Sequence, residues 1–147
     1  MINLNHNLAL NLNLPMKIYF DHEKLEVYRK VLAFAQWAEV ILERVPKSAA
    51  VHNQLDRART SIVLNIPEGN GRFTPADRCK FFDIARGSGL ESAGCLDLIF
   101  IKKLISETEL EEGKSILKDV ISLLVGLIRS NSPDRMHEDA VEYRVGA

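Results

Sequence analysis

Four long stretches of helical periodicity, separated by only a few turn-forming residues each, leave this chain a narrow choice of folds. From residue 24 to 45 the apolar positions Tyr28, Val31, Leu32, Ala35, Ala38 and Leu42 fall within one arc, the mark of an amphipathic helix. Pro46 ends it, since proline lacks the amide a continuing helix needs, and Ser48 is the expected cap of the next. The second helix, residues 48–68, sets Val51, Leu55, Ala58, Ile62 and Ile66 on its core face. Pro67 is expected to kink or end it, with Gly69 as its C-terminal cap and Gly69-Asn70-Gly71 as a tight connection. The start signal of the third is the strongest: Thr74-Pro75-Ala76-Asp77 supplies a capping hydroxyl, a first-turn proline and an acid at the positive end of the helix dipole. That helix runs to about residue 104, a length of about 45 Å. Ser106-Glu107-Thr108-Glu109 opens a fourth, with Leu110, Leu117, Val120, Ile121, Leu124 and Ile128 as its core stripe and Asn131-Ser132-Pro133 as its stop. No strand pattern lies in the core, so the class is all-α. Short connections make sequential helices antiparallel neighbours, and residues 17–131 are predicted to form an antiparallel up-down four-helix bundle.

The flanks differ from the bundle. Within an extension of residues 1–16, residues 3–14 alternate Asn and Leu almost throughout with the period of a strand, but neither residue favours strands and Pro15 breaks the segment off. It is read as a disordered or weakly ordered arm, a strand pairing with a neighbouring chain being the sharper alternative. Residues 132–147 are a charged, frayed tail. At 147 residues the chain is one domain's length, and its two cysteines are too few for a disulfide scaffold or a zinc ribbon. The longest apolar run falls far short of the roughly 20 residues that cross a bilayer, and the first 15 residues carry no Lys or Arg for a signal peptide. The expected location is the cytoplasm, with no membrane partner.

Several apolar residues face the wrong way for a monomeric bundle. Trp37 and Val40 lie opposite the core arc of the first helix, and Val63 and Leu64 widen the apolar arc of the second. On the third, Phe82, Ala93 and Phe100 belong to a second stripe with Gly89 and Leu96. A helix apolar on two faces is central or covered by another molecule. A four-helix monomer has no central helix, so these residues are expected to form an oligomer or partner interface.

A polar strip, Gln54, Ser61, Asn65 and Glu68, runs beside the core face of the second helix, and Ser88 and Glu91 project from or beside the core arc of the third. Such groups must find partners or bear a desolvation penalty of about 1–3 kcal/mol each, so an interhelical network that sets helix register is expected. A catalytic pair of Glu68 and Glu91 is the weaker alternative, because no nucleophile or histidine accompanies it in the pattern. Gly87, Gly89 and Gly94 inside the third helix imply close approach of another helix or a local bend. Gly69-x-Gly71 lacks the remaining residues of a phosphate loop, and His6, His22, His52 and His137 are too scattered for a di-iron site. No cofactor and no metal are expected, and no catalytic residue is assigned. Charge has a geography: the net charge is −1, yet residues 47–103 hold nine Lys and Arg against six acids.

The stretch Ser61-Ile62-Val63-Leu64-Asn65-Ile66-Pro67-Glu68-Gly69-Asn70-Gly71-Arg72 is followed by Phe81-Phe82-Asp83-Ile84-Ala85-Arg86-Gly87-Ser88 and Glu91. Together with Asp21-His22-Glu23-Lys24-Leu25 and Gln54-Leu55-x-Arg57-Ala58, it resembles the four-helix bundle family encoded in intervening sequences of bacterial large-subunit (23S) ribosomal RNA genes. The resemblance spans residues 18–129. It implies a bundle that assembles as a ring, typically a pentamer, with no known enzymatic activity. It also implies a relation to the accessory proteins of diversity-generating retroelements, in which a basic pentamer engages a reverse transcriptase and nucleic acid. The expected function is a non-enzymatic homo-oligomer binding structured RNA or other nucleic acid. The basic middle segment supplies candidate phosphate contacts in Arg57, Arg59, Arg72, Arg78, Lys80 and Arg86. The alternative is a protein-binding scaffold or accessory subunit that works through exposed apolar helix faces.

Overall fold

The last two helices begin where the capping chemistry of the chain places them. The computed structural model describes residues 17–132, so the expected arm and all but the first residue of the expected tail lie outside the described residues. A short 3-10 turn, Asp21–Lys24, precedes α1 (Glu26–Arg44), α2 (Ala50–Asn70), α3 (Pro75–Ile101) and α4 (Glu107–Asn131). Thr74 caps α3 by accepting from the Asp77 amide at 3.2 Å. Ser106 and Glu109 cap α4 reciprocally, at 3.1 and 3.0 Å. The Glu109 carboxylate also takes Arg44 Nη1 at 2.6 Å, tying the end of α1 to the start of α4. Ser48 does not cap α2: Ala49 holds that position, with no side-chain bond.

Two other boundaries depart from expectation. Pro67 does not end α2, which continues to Asn70, and Gly69 is not the cap. A Cβ at Gly69 would lie 2.9 Å from the Phe82 ring and 3.0 Å from Phe81 Cβ, so this glycine lets the last turn of α2 sit on α3. At its far end α3 stops at Ile101 because Lys103 adopts φ 61°. The Lys103 amide then bonds the Phe100 carbonyl at 2.9 Å and the Leu104 amide that of Ile99 at 3.3 Å, the Schellman closure usually built on glycine.

Each helix packs on its sequence neighbours, and α1 closes the square against α4, with no Cα atoms within 8 Å across either diagonal. This is the arrangement of an up-down bundle, and no strand occurs among the described residues. The core face of α2 is the predicted one, Val51, Leu55, Ala58, Ile62 and Ile66 all being buried. That of α1 is rotated: Val27, Val31, Phe34, Ala38 and Ile41 lead it, while Tyr28, Leu32 and Ala35 are only half-buried.

Trp37 is consequently a core residue, 5% exposed, rather than part of an outer surface. The cause lies on α4, where a Cβ at Gly113 would come within 2.5 Å of the Trp37 ring and 2.7 Å of Leu96. The missing side chain is the slot the indole fills. Phe82 and Leu96 are likewise fully buried and belong to the core, not to a second outward stripe, and Val63 and Ala93 pack partly against it.

Two outcomes follow from this packing. Gly113→Ala should destabilise the bundle by about 1–3 kcal/mol in urea unfolding, overpacking outweighing alanine's helix propensity of about 1 kcal/mol. The Glu109 carboxyl is held below its ordinary value first by the Ser106 amide and then by Arg44, against the opposing effect of burial. Its contribution is therefore present above the unfolded glutamate pKa and is lost as pH falls through the lower folded value. Glu109→Gln should flatten the acid side of the stability–pH curve and cost on the order of 0.5–1 kcal/mol at pH 7; an unchanged acid limb would refute this.

Candidate nucleic-acid interface

The close approach at Gly69 decides what the end of the bundle presents. It brings the start of the α2–α3 connection against α3, and the Arg72 guanidinium comes to lie 4.4 Å above the Phe81 ring. Lys80 approaches the same ring at 6.0 Å, both within cation–π range. Between the helices Phe73 is fully exposed. Arg78 donates from Nη2 to Asn70 at 3.3 Å, and Asn70 donates in turn to Asp21 at 3.1 Å. The Arg78 Nε is enclosed and has no acceptor among the described residues. This chain of bonds docks the 3-10 turn on the same end, which adds the exposed rings of Tyr19 and Phe20 and the cations Lys17 and Lys24.

The acids of this end are largely engaged. Asp21 is held below its ordinary pKa first by the Asn70 amide and then by Lys24, with which it pairs at 3.6 Å. Glu23 is lowered by the Phe20 and Tyr19 amides, which it accepts at 3.0 and 2.7 Å. Glu68 meets Arg72 at 2.9 Å in an exposed pair, the kind worth little in water. Asp77 remains exposed in the first turn of α3.

The six basic residues named from sequence thus separate. Arg72 and Lys80 meet at the Phe81 ring, and Arg78 lies at the same end, bonded to Asn70. Arg57 is exposed on α2 and makes no bond to any described side chain. Arg59 is 16% exposed, pairs with Glu39 and Asp56, and donates to the Ala35 carbonyl at 3.0 Å. Burial works against its charge, but the bonds to Asp56 and Glu39 outweigh that and raise its pKa, so it braces α1 to α2. Arg86 lies partly buried beside Asp83 at 3.4 Å. The aromatic members were missed, although Arg72-Phe73 and Lys80-Phe81 interleave cation and ring in the sequence itself.

The polar strip is smaller than predicted. Ser61 and Ser88 hydroxyls meet at 2.8 Å across α2 and α3, Asn65 donates to Ser61 at 2.7 and 3.1 Å, and buried Ser92 donates to the Ser88 carbonyl at 2.9 Å. Gln54, Glu68 and Glu91 are exposed and stand outside it. Glu68 lies at the level of Phe81, and Glu91 is ten residues further along α3, about 15 Å. The two carboxylates do not converge. Cys79 and Cys95 are both buried, and burial, then Glu91, pushes the Cys95 thiol up.

A second surface lies along the outside of α3. Ile84, Gly87, Glu91, Gly94, Leu98 and Ile101 follow one another at alternating steps of three and four, and all are exposed. A Cβ at Gly87 or Gly94 would meet nothing within 4 Å, whereas one at Gly89 would meet Ile121 at 3.3 Å. Val40, Leu64 and Phe100 are the residues of the expected interface that remain exposed. Among the described residues there is no cluster suited to a metal ion, and no helix is long and apolar enough to cross a membrane.

Comparison with known proteins bears on this geometry. A family model described as 23S rRNA-intervening sequence protein matches residues 23–126. Among solved structures, a chain from Bacteroides thetaiotaomicron VPI-5482, described as a protein with unknown function from the S23 ribosomal protein family, is 25% identical to this one. The two superpose with a TM-score of 0.64 over 70% of this chain and 98% of that one. No curated protein matches the chain.

Proposed function

Because the chain belongs to the 23S rRNA-intervening sequence protein family, we propose that it is a non-enzymatic, self-associating bundle that binds structured RNA or other nucleic acid through the α2–α3 end. One observation carries this: Arg72 and Lys80 meet over the half-buried Phe81 ring beside the fully exposed Phe73, at the end of the bundle that Arg78 reaches through Asn70. Cations interleaved with aromatics suit a polyanion with apolar bases, and phosphate contacts of this kind position a nucleic acid without reading its sequence. The net charge of −1 does not oppose it, because salt screens charges beyond about 8 Å and the phosphate responds to the local cluster. Exchange of the exposed Glu68 partner for a phosphate costs Arg72 little. Assembly as a ring, with five copies by family resemblance, would repeat the cluster and raise avidity. The separation of Glu68 from Glu91 supports the non-enzymatic part.

The outer seam of α3 supports the self-associating part. Two mid-helix glycines cost about 1 kcal/mol each and serve no contact among the described residues, but they let a second backbone approach closely. The same seam favours a second reading, in which its occupant is a different protein and the chain is a scaffold or accessory subunit.

Charge reversal at Arg72→Glu with Lys80→Glu should weaken binding to a labelled structured RNA at least about tenfold at about 50 mM salt, measured by fluorescence anisotropy. Failure of the wild type to retain RNA or DNA under those conditions overturns the nucleic-acid reading. In size-exclusion chromatography with light scattering the wild type should exceed a monomer's mass, and Leu98→Glu should shift it toward the monomer. A wild type that is monomeric at micromolar concentration hands the seam to another protein.

A further inference from the structure

Resting on the nucleic-acid reading, we infer that the α2–α3 turn selects unpaired nucleotides, with a base stacked on the Phe73 ring and the flanking phosphates on Arg72 and Lys80. A fully exposed phenylalanine is an unusual occupant of a polar turn, since its ring gains nothing from water. The turn that carries it is pinned on both sides. Upstream, the Gly71 amide bonds the Pro67 carbonyl at 3.0 Å and the Arg72 amide that of Gly69 at 3.2 Å. Downstream, Thr74 is held as the cap of α3 and Pro75 restricts the backbone. Little backbone freedom is therefore lost when a ligand lands on the ring.

The two phenylalanines divide the work. Phe81 is already covered by the Arg72 guanidinium, with Lys80 at the ring's reach, so it holds the cations in place and leaves Phe73 uncovered. Phenylalanine offers neither donor nor acceptor, so it meets any base by its face and reads no sequence. Base faces are hidden inside a duplex and open in a loop, bulge or single strand. Selectivity thus comes from access to the base face, whereas charge acts on both forms.

The test is anisotropy titration of labelled oligouridine of about 12 nucleotides, and of a fully paired RNA duplex of equal length, against the full chain. The wild type should bind the single strand at least about tenfold more tightly than the duplex. Phe73→Ala should lose about tenfold or more on oligouridine and leave the duplex unchanged, while Phe73→Trp retains binding. Because Phe73 is exposed, the alanine variant should keep the wild-type thermal melt, which excludes misfolding as the cause. Equal binding of single strand and duplex, or oligouridine binding by Phe73→Ala at the wild-type level, overturns the inference. If Arg72→Glu with Lys80→Glu still weakens both RNAs in that case, nucleic-acid binding stands and base stacking alone falls. Absence of binding to either RNA overturns both and leaves Phe73 to a protein partner.

Discussion

Two helices can approach closely only where a facing side chain is small, and the contact between α2 and α3 meets that condition at two points. Ser61 faces Ser88 in the middle, and Gly69 receives the Phe82 ring at one end. Close packing gains dispersion contacts that a wider gap would forfeit, and the paired hydroxyls satisfy polar groups that would otherwise be costly to enclose. This approach also sets the height at which α2 ends against α3. The Arg72 guanidinium reaches the Phe81 ring because Gly69 has no side chain to hold the helices apart.

The opposite wall of the bundle applies the same rule with a larger partner. Gly113 on α4 opens a slot, and the Trp37 indole of α1 fills it beside Leu96. Without that slot a ring so far round α1 would lie on the surface. The glycines of the outer α3 seam reverse the logic, since Gly87 and Gly94 face open space while Ile84, Leu98 and Ile101 stand exposed beside them. Gly69 and Gly113 serve contacts within the chain, and the seam glycines serve none among the described residues.

Much of the fold was legible in advance because capping is local chemistry. Thr74 with Asp77 and Ser106 with Glu109 act over three residues, and their bonds form where the pattern placed them. The core stripe of α2 was equally plain, its apolar residues recurring on one face. The α1 arc was misjudged because that helix is apolar on two sides, and choosing between Phe34 and Tyr28 as the inward ring requires its partner. Pro67 and Gly69 misled for a related reason: a proline costs one hydrogen bond, and the packing of Gly69 on Phe82 holds the final turn that propensity alone would end. Of the candidate site, Arg72, Arg78 and Lys80 were visible as charges, but Phe73 and Phe81 were not singled out. Arg59 and Arg86 looked equivalent to the others until Glu39, Asp56 and Asp83 were found beside them.

The sequence by itself determined the all-α class, the order of four helices and their antiparallel sense, because periodicity, caps and short connections act between residues a few positions apart. Tertiary structure alone decided which apolar residues are core and which are surface, and which cations are committed to acids. It also placed rings and charges from the 3-10 turn, the α2–α3 connection and α3 on one end. Those outcomes depend on the side chain opposite, often a glycine whose missing Cβ sets the distance, and no pattern along a single helix contains its neighbour.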